Sequence, residues 1–136
     1  MAGTRSPGMD RHVHTSPESP AFQVLVVEDD VLLRAVAVEY LEEYGYSVLE
    51  AETADEACLM LRANGRIGVV FTDIELPGRM TGFDLARWIG REHTDVRALL
   101  TSGHVAPAQL QGRQLVTKPY ALDEVERQLR GLVRCS

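Results

Sequence analysis

From residue 22 onward, short apolar runs alternate with segments whose apolar residues recur at helical spacing. Val24-Leu25-Val26-Val27 is an unbroken, mostly β-branched run, the pattern of a strand buried on both faces. Leu33, Ala37, Tyr40, Leu41 and Tyr44 follow on one helical stripe, and Gly45 supplies a left-handed stop. Residues 47–51 read as a second strand, and 55–63, with Ala57 and Leu61 at helical spacing, as a second helix closed by Asn64-Gly65. Val69-Val70-Phe71-Thr72 forms a third strand running into Asp73, and Phe83, Leu85, Ala86 and Ile89 mark a third helix in which Trp88 reads as packing. Residues 96–100 make a fourth strand ending at Thr101, and 106–110 allow only a short helix. Leu115-Val116 is a minimal fifth strand, and Leu122, Val125, Leu129 and Leu132 line a closing helix.

Strands separated by helices must run parallel, and right-handed crossovers place the helices on both faces. The pattern therefore predicts an α/β domain over 22–134 with a doubly wound, five-stranded parallel sheet and a short or irregular fourth helix. In such sheets the functional crevice lies outside the carboxyl ends of the strands. That rule sends Glu28-Asp29-Asp30, Asp73, Thr101-Ser102 and Lys118-Pro119 to one rim. Crowded carboxylates raise one another's pKa. A divalent cation removes the conflict, and hard oxygen donors with room for water and phosphate suit Mg²⁺. Asp29 or Asp30 also suits the N-cap of the first helix.

Composition narrows the partners. The chain has 136 residues, enough for one core, and a formal net charge of −6, which argues against nonspecific binding to nucleic acid or anionic membranes. No apolar run is long enough to span a bilayer, and the amino terminus lacks the apolar stretch of a signal peptide, so a cytoplasmic location is expected. Residues 1–21, rich in Gly, Ser, Pro, Thr and Arg, are expected to form a disordered tail, with His12 and His14 binding nothing specific. Cys58 and Cys135 have neither metal-site nor disulfide spacing and read as plain thiols.

Four segments carry a resemblance to the response-regulator receiver family: Val26-Val27-Glu28-Asp29-Asp30, Phe71-Thr72-Asp73-Ile74-Glu75-Leu76-Pro77, Leu99-Leu100-Thr101-Ser102-Gly103 and Lys118-Pro119-Tyr120. The resemblance extends over roughly residues 22–133, nearly all of the expected domain, with the four segments in the family's order and near its spacing. The resemblance implies a flavodoxin-like sheet of order 2-1-3-4-5 and a stand-alone phosphorylation switch. It implies that Asp73 is the phosphoacceptor and that Glu28, Asp29, Asp73 and the backbone carbonyl of Glu75 hold Mg²⁺. Thr101 would hydrogen-bond one phosphoryl oxygen, Lys118 would pair with another, and the Lys118-Pro119 peptide would be cis. The donor would be a sensor histidine kinase or a histidine phosphotransfer protein. Output would pass to another protein, with no direct nucleic-acid contact. Such a domain catalyses its own phosphorylation and dephosphorylation without being an enzyme on a separate substrate.

The match departs from the family at several points. The loop 76–82 is one residue longer than usual, with Thr81 where Asp is common, and Ala121 is a poor helix cap. Leu115 stands where many receivers carry a Tyr or Phe that swings inward, so switching is expected to reorder 104–112 instead, with His104 an exposed loop residue. Two other classes compete. A haloacid-dehalogenase-type phosphotransferase would carry its nucleophile after the first strand with a second Asp two positions on, where this chain has Asp73 after the third strand followed by Glu75. A flavodoxin-like nucleotide binder would need a Gly-, Ser- and Thr-rich loop after the first strand, where Glu28-Asp29-Asp30 repels phosphate.

Overall fold

The computed structural model describes residues 23–103 and 110–134. The expected tail at 1–21, residue 22, His104 with most of the short helix at 106–110, and Cys135 lie outside the described residues. The elements are β1 (Gln23–Val27), α1 (Val31–Glu43), β2 (Ser47–Ala51), α2 (Ala54–Ala63), β3 (Ile67–Asp73), α3 (Gly82–Glu92), β4 (Arg97–Ser102), β5 (Gln114–Thr117) and α4 (Leu122–Arg134). The strands form one five-stranded sheet of order β2-β1-β3-β4-β5, with each neighbouring pair parallel. This is the doubly wound sheet that the alternation of patterns predicts.

Successive side chains of a strand point to opposite faces, and here both faces are covered. Val24 and Val26 of β1, with Val69 and Phe71 of β3, join Ala37, Val38 and Leu41 of α1 and Val125 and Leu129 of α4 in one core layer. Leu25, Val27 and Val70 point the other way, onto Ala54, Ala57, Cys58 and Leu61 of α2 and Leu85 and Ile89 of α3. Trp88 packs at the edge of this second layer, its ring 4.9 Å from that of His93 and under the Arg62 guanidinium.

Local chemistry sets the helix ends. Asp30 caps α1, its Oδ1 accepting from the backbone N–H groups of Leu32 and Leu33 at 3.0 and 3.1 Å. At the other end Gly45 adopts φ 97°, and the N–H groups of Gly45 and Tyr46 donate to the carbonyls of Glu42 and Leu41, a Schellman closure. Thr81 opens α3 with a reciprocal capping box to Asp84, which gives the unusual residue in the longer loop a clear task.

The α1 stripe corrects the expectation from periodicity. Ala37 and Leu41 are buried and Val38 joins them, but Leu33 and Tyr44 are exposed. Val31, Leu32 and Val36, in the first two turns of α1, also face solvent. The remaining differences are strand ends: β3 starts earlier than expected, and β4 extends to Ser102.

Gly82 closes the loop after β3 by direct backbone contact. Its N–H donates to the Ile74 carbonyl at 2.8 Å, and a Cβ there would lie 2.2 Å from the Asp73 carbonyl oxygen. Backbone cannot yield as a flexible side chain can. Gly82→Ala is therefore expected to cost about 1–3 kcal/mol, the usual range for overpacking. Gly90→Ala, in open space on α3, should instead stabilise by about 0.5–1 kcal/mol. Urea midpoints of the two variants check the contrast, and a neutral Gly82→Ala would refute the close approach.

Candidate functional site

Parallel register assembles the crevice. Asp73 at the end of β3 lies opposite Thr101 of β4, and Ser102 lies opposite Thr117, just before Lys118. The ladder continues past the strand ends. Glu28 N–H donates to the Ala51 carbonyl at 3.0 Å, Ile74 N–H to Thr101 at 2.9 Å, and Lys118 N–H to Ser102 at 2.9 Å. The positions predicted for the rim thus meet.

One oxygen each from Glu28, Asp29 and Asp73 lies within 4.8 Å of the others. With Asp30 committed to capping α1, Asp29 stays exposed and its carboxylate faces this cluster. The open choice between the two aspartates is thereby resolved. Lys118 Nζ donates to Asp73 Oδ2 at 2.7 Å and lies 3.7 Å from Glu28 Oε1. Asp73 Oδ1 accepts from the backbone N–H of Glu75 at 3.0 Å. The Lys118-Pro119 peptide is cis.

Burial governs the charges. It pushes the Asp73 carboxyl above its ordinary value, and the Lys118 hydrogen bond and Glu75 N–H offset this only in part. Burial raises Glu28 too; its bond from the Asp30 N–H and the charge of Lys118 oppose the rise, while Asp73 and Asp29 add to it. Burial alone would lower Lys118, but its contact with Asp73 and the charges of Asp73 and Glu28 hold it above the usual lysine value. The carboxylates therefore fit a hard divalent cation. Thr101 Oγ1 is buried and, among the described residues, has no hydrogen-bond partner, which marks a second unmet demand beside Asp73.

Two contacts escaped the sequence reading. Ser102 Oγ donates to Glu75 Oε2 at 2.8 Å, tying the loops after β3 and β4 together. Arg34 Nη1 donates to the Glu28 carbonyl at 2.6 Å. Neither was legible, because each depends on side-chain reach between separate elements. Leu115 is half-buried against the small cluster of Ile74, Ala86 and Leu100.

Comparison with known proteins agrees with this geometry. The family model for the response regulator receiver domain matches residues 24–130. The nitrogen assimilation regulatory protein NtrX of Azorhizobium caulinodans is 32% identical over 112 residues, covering 77% of this chain and 24% of that protein. The chain thus spans about a quarter of that relative's length. A response regulator receiver protein from Pseudomonas putida superposes with a TM-score of 0.72 at 29% identity, over 85% of this chain and 97% of that one. The response regulator TrrA of Thermotoga maritima, solved in complex with Mg²⁺-BeF, gives a TM-score of 0.74 at 26% identity over 82% and 98% of the two chains.

The raised carboxyls set a pH dependence. Asp73 binds its proton more tightly folded than unfolded, so its contribution to stability falls as pH rises from the ordinary value of 3.8 toward the folded value. Above that value the full penalty remains. In metal-free buffer, the melting temperature of Asp73→Asn relative to wild type should be more favourable at neutral pH than below about pH 4. A difference that is the same at both pH values would show that the Lys118 contact cancels the burial penalty, and one less favourable at neutral pH would show that the contact dominates.

Proposed function

The chain belongs to the response regulator receiver domain family, the receivers of phosphorelay signalling, and we propose that Asp73 accepts its phosphoryl group in a Mg²⁺-dependent reaction. The Thr101 hydroxyl, buried and unpartnered among the described residues, carries the reading. A buried donor left unpaired costs about 1–3 kcal/mol, and a phosphoryl oxygen on the opposite residue, Asp73, supplies the missing acceptor.

An Asp73 carboxylate oxygen attacks phosphorus. The P–N bond to the donor's imidazole breaks as the O–P bond forms, and its electron pair returns to the ring nitrogen. Lys118 passes from Asp73 Oδ2 to a phosphoryl oxygen, and Thr101 donates to another. Glu28, Asp29, Asp73 and the backbone carbonyl of Glu75 would hold Mg²⁺, which supplies charge neutralisation at the phosphoryl oxygens. The Mg²⁺-BeF complex of TrrA supports this assignment. Attack of water on phosphorus later breaks the O–P bond and returns Asp73 with inorganic phosphate. The domain is a phosphoacceptor switch that catalyses both steps on itself.

The donor we infer is a histidine kinase or a histidine phosphotransfer protein. Leu33 lines a groove with Lys118, Pro119 and Tyr120, so the exposed apolar turn of α1 borders the chemistry. Such a surface suits a protein bearing the phosphohistidine more than a small-molecule donor. The output passes to a further protein, and the cytoplasm is the location we propose. Among the described residues, no helix is long and apolar enough to cross a membrane.

Two measurements test the reading. Wild type should take up label from acetyl phosphate, whereas Asp73→Asn, folded by circular dichroism, should take up none. Full-stoichiometry labelling of the variant would remove Asp73 from the role. Mg²⁺ at a hundred times its dissociation constant should stabilise wild type by about 2.7 kcal/mol. Asp29→Ala should lose that gain, and equal melting shifts in both proteins would place the metal elsewhere.

A further inference from the structure

We propose that Arg34 is a positioning residue for the metal site, holding the turn 28–30 so that Glu28 and Asp29 converge on Asp73 before a cation binds. The inference rests on the Mg²⁺ reading above and concerns a residue outside the acidic cluster. Arg34 lies on the first turn of α1, with its side chain only 14% exposed. Its guanidinium makes two hydrogen bonds in different directions: Nη1 to the Glu28 carbonyl at 2.6 Å and Nε to Glu50 Oε1 at 3.0 Å. Its Nη2 also lies 3.9 Å from Glu52 Oε2. Glu50 is on β2 and Glu52 just beyond it, so Arg34 clips the turn after β1 to the neighbouring strand end.

The backbone of Arg34 completes the clip. Its N–H donates to the Asp30 carbonyl at 2.9 Å, as the first helical bond of α1. The carbonyls on both sides of Asp29, those of Glu28 and Asp30, are therefore held by one residue. Asp29 itself has an exposed side chain, so its direction depends on that backbone. Mutual repulsion among Glu28, Asp29 and Asp73 pushes the turn away from β3, and without a tether the turn would relax outward until a cation arrived. The fork geometry of a guanidinium satisfies a carbonyl and a carboxylate together, which a single ammonium does less well.

The sign of the effect separates positioning from simple charge. Arg34 is a cation near the carboxylates, so a role through its field alone predicts tighter Mg²⁺ binding when it is removed. Positioning predicts weaker binding, of the size found when groups behind metal ligands are lost, roughly tenfold. Titrating the full chain with Mg²⁺, followed by amide shifts of residues 28–30 and 73–75, reads the dissociation constant directly. Arg34→Met, which keeps the aliphatic stem, should weaken binding roughly tenfold. Arg34→Lys, which keeps the charge, should fall between Arg34→Met and wild type. Unchanged or tighter binding by Arg34→Met overturns the proposal. Should that variant fail to fold, wild-type affinity in Arg34→Lys does so. No saturable Mg²⁺ binding by wild type would overturn the metal site and this inference together, whereas equal affinity in wild type and variant removes only the role of Arg34.

Discussion

An excess of negative charge in a half-buried crevice is the constraint on which the rest of the site depends. Carboxylate oxygens of Glu28, Asp29 and Asp73 lie within 4.8 Å of one another, and Lys118 contacts two of those residues. At that separation, with an effective dielectric constant of about 20, a like-charge pair costs roughly 3 kcal/mol, and less for the exposed Asp29. One ammonium cannot offset all three pairs. Burial, the main cause of the raised Asp73 and Glu28 carboxyls, sharpens the conflict, and at Glu28 the charges of Asp73 and Asp29 add to it. A cation that relieves it gains differential affinity for the folded chain.

The sheet makes this arrangement possible by confining the conflict to its edge. Behind Asp73, β3 is buried along almost its whole length, with Val69 and Phe71 on one face and Val70 on the other. The β-branched runs of β1 and β3 thus anchor the acidic residues to rigid strands, and the register to β4 sets Thr101 opposite Asp73. Gly82 adds a second restraint, since its backbone contact with Asp73 and Ile74 leaves the loop little freedom to carry Asp73 away from Thr101.

How much of this was legible in sequence follows from the range of each interaction. Val24 to Val27 and Val69 to Phe71 announce buried strands because their pattern is local, and the crevice rule then gathers Asp29, Asp73, Thr101 and Lys118 without any contact being known. The stripe of α1 misled where locality ends. Leu33 and Tyr44 have helical spacing with Ala37 and Leu41, but burial depends on what lies opposite, and at the two ends of the helix both are exposed. Asp29 and Asp30 are adjacent and chemically alike, so only the observed bonds to Leu32 and Leu33 assign the cap. Gly82, Arg34 and the Ser102–Glu75 bond were silent, because each is defined by a partner on another element.

The same geometry bounds what a phosphoryl group on Asp73 could do elsewhere in the molecule. A modification shifts a conformational equilibrium only by its differential interaction with the two states. Thr101 would gain a charge-assisted hydrogen bond, worth about 1.5–3 kcal/mol, and Lys118 would exchange one anionic partner for another. Couplings between distant sites usually fall within about 1–3 kcal/mol, so one such bond is sufficient. Its mechanical path is short. Thr101 is flanked on β4 by Leu100, which packs with Ile74 and Ala86, and half-buried Leu115 of β5 lies against that cluster. Leu115 buries less area than an aromatic ring would, so an inward move recovers less hydrophobic free energy. The balance must then rest more on the hydrogen bond at Thr101 than on refilling the space behind it.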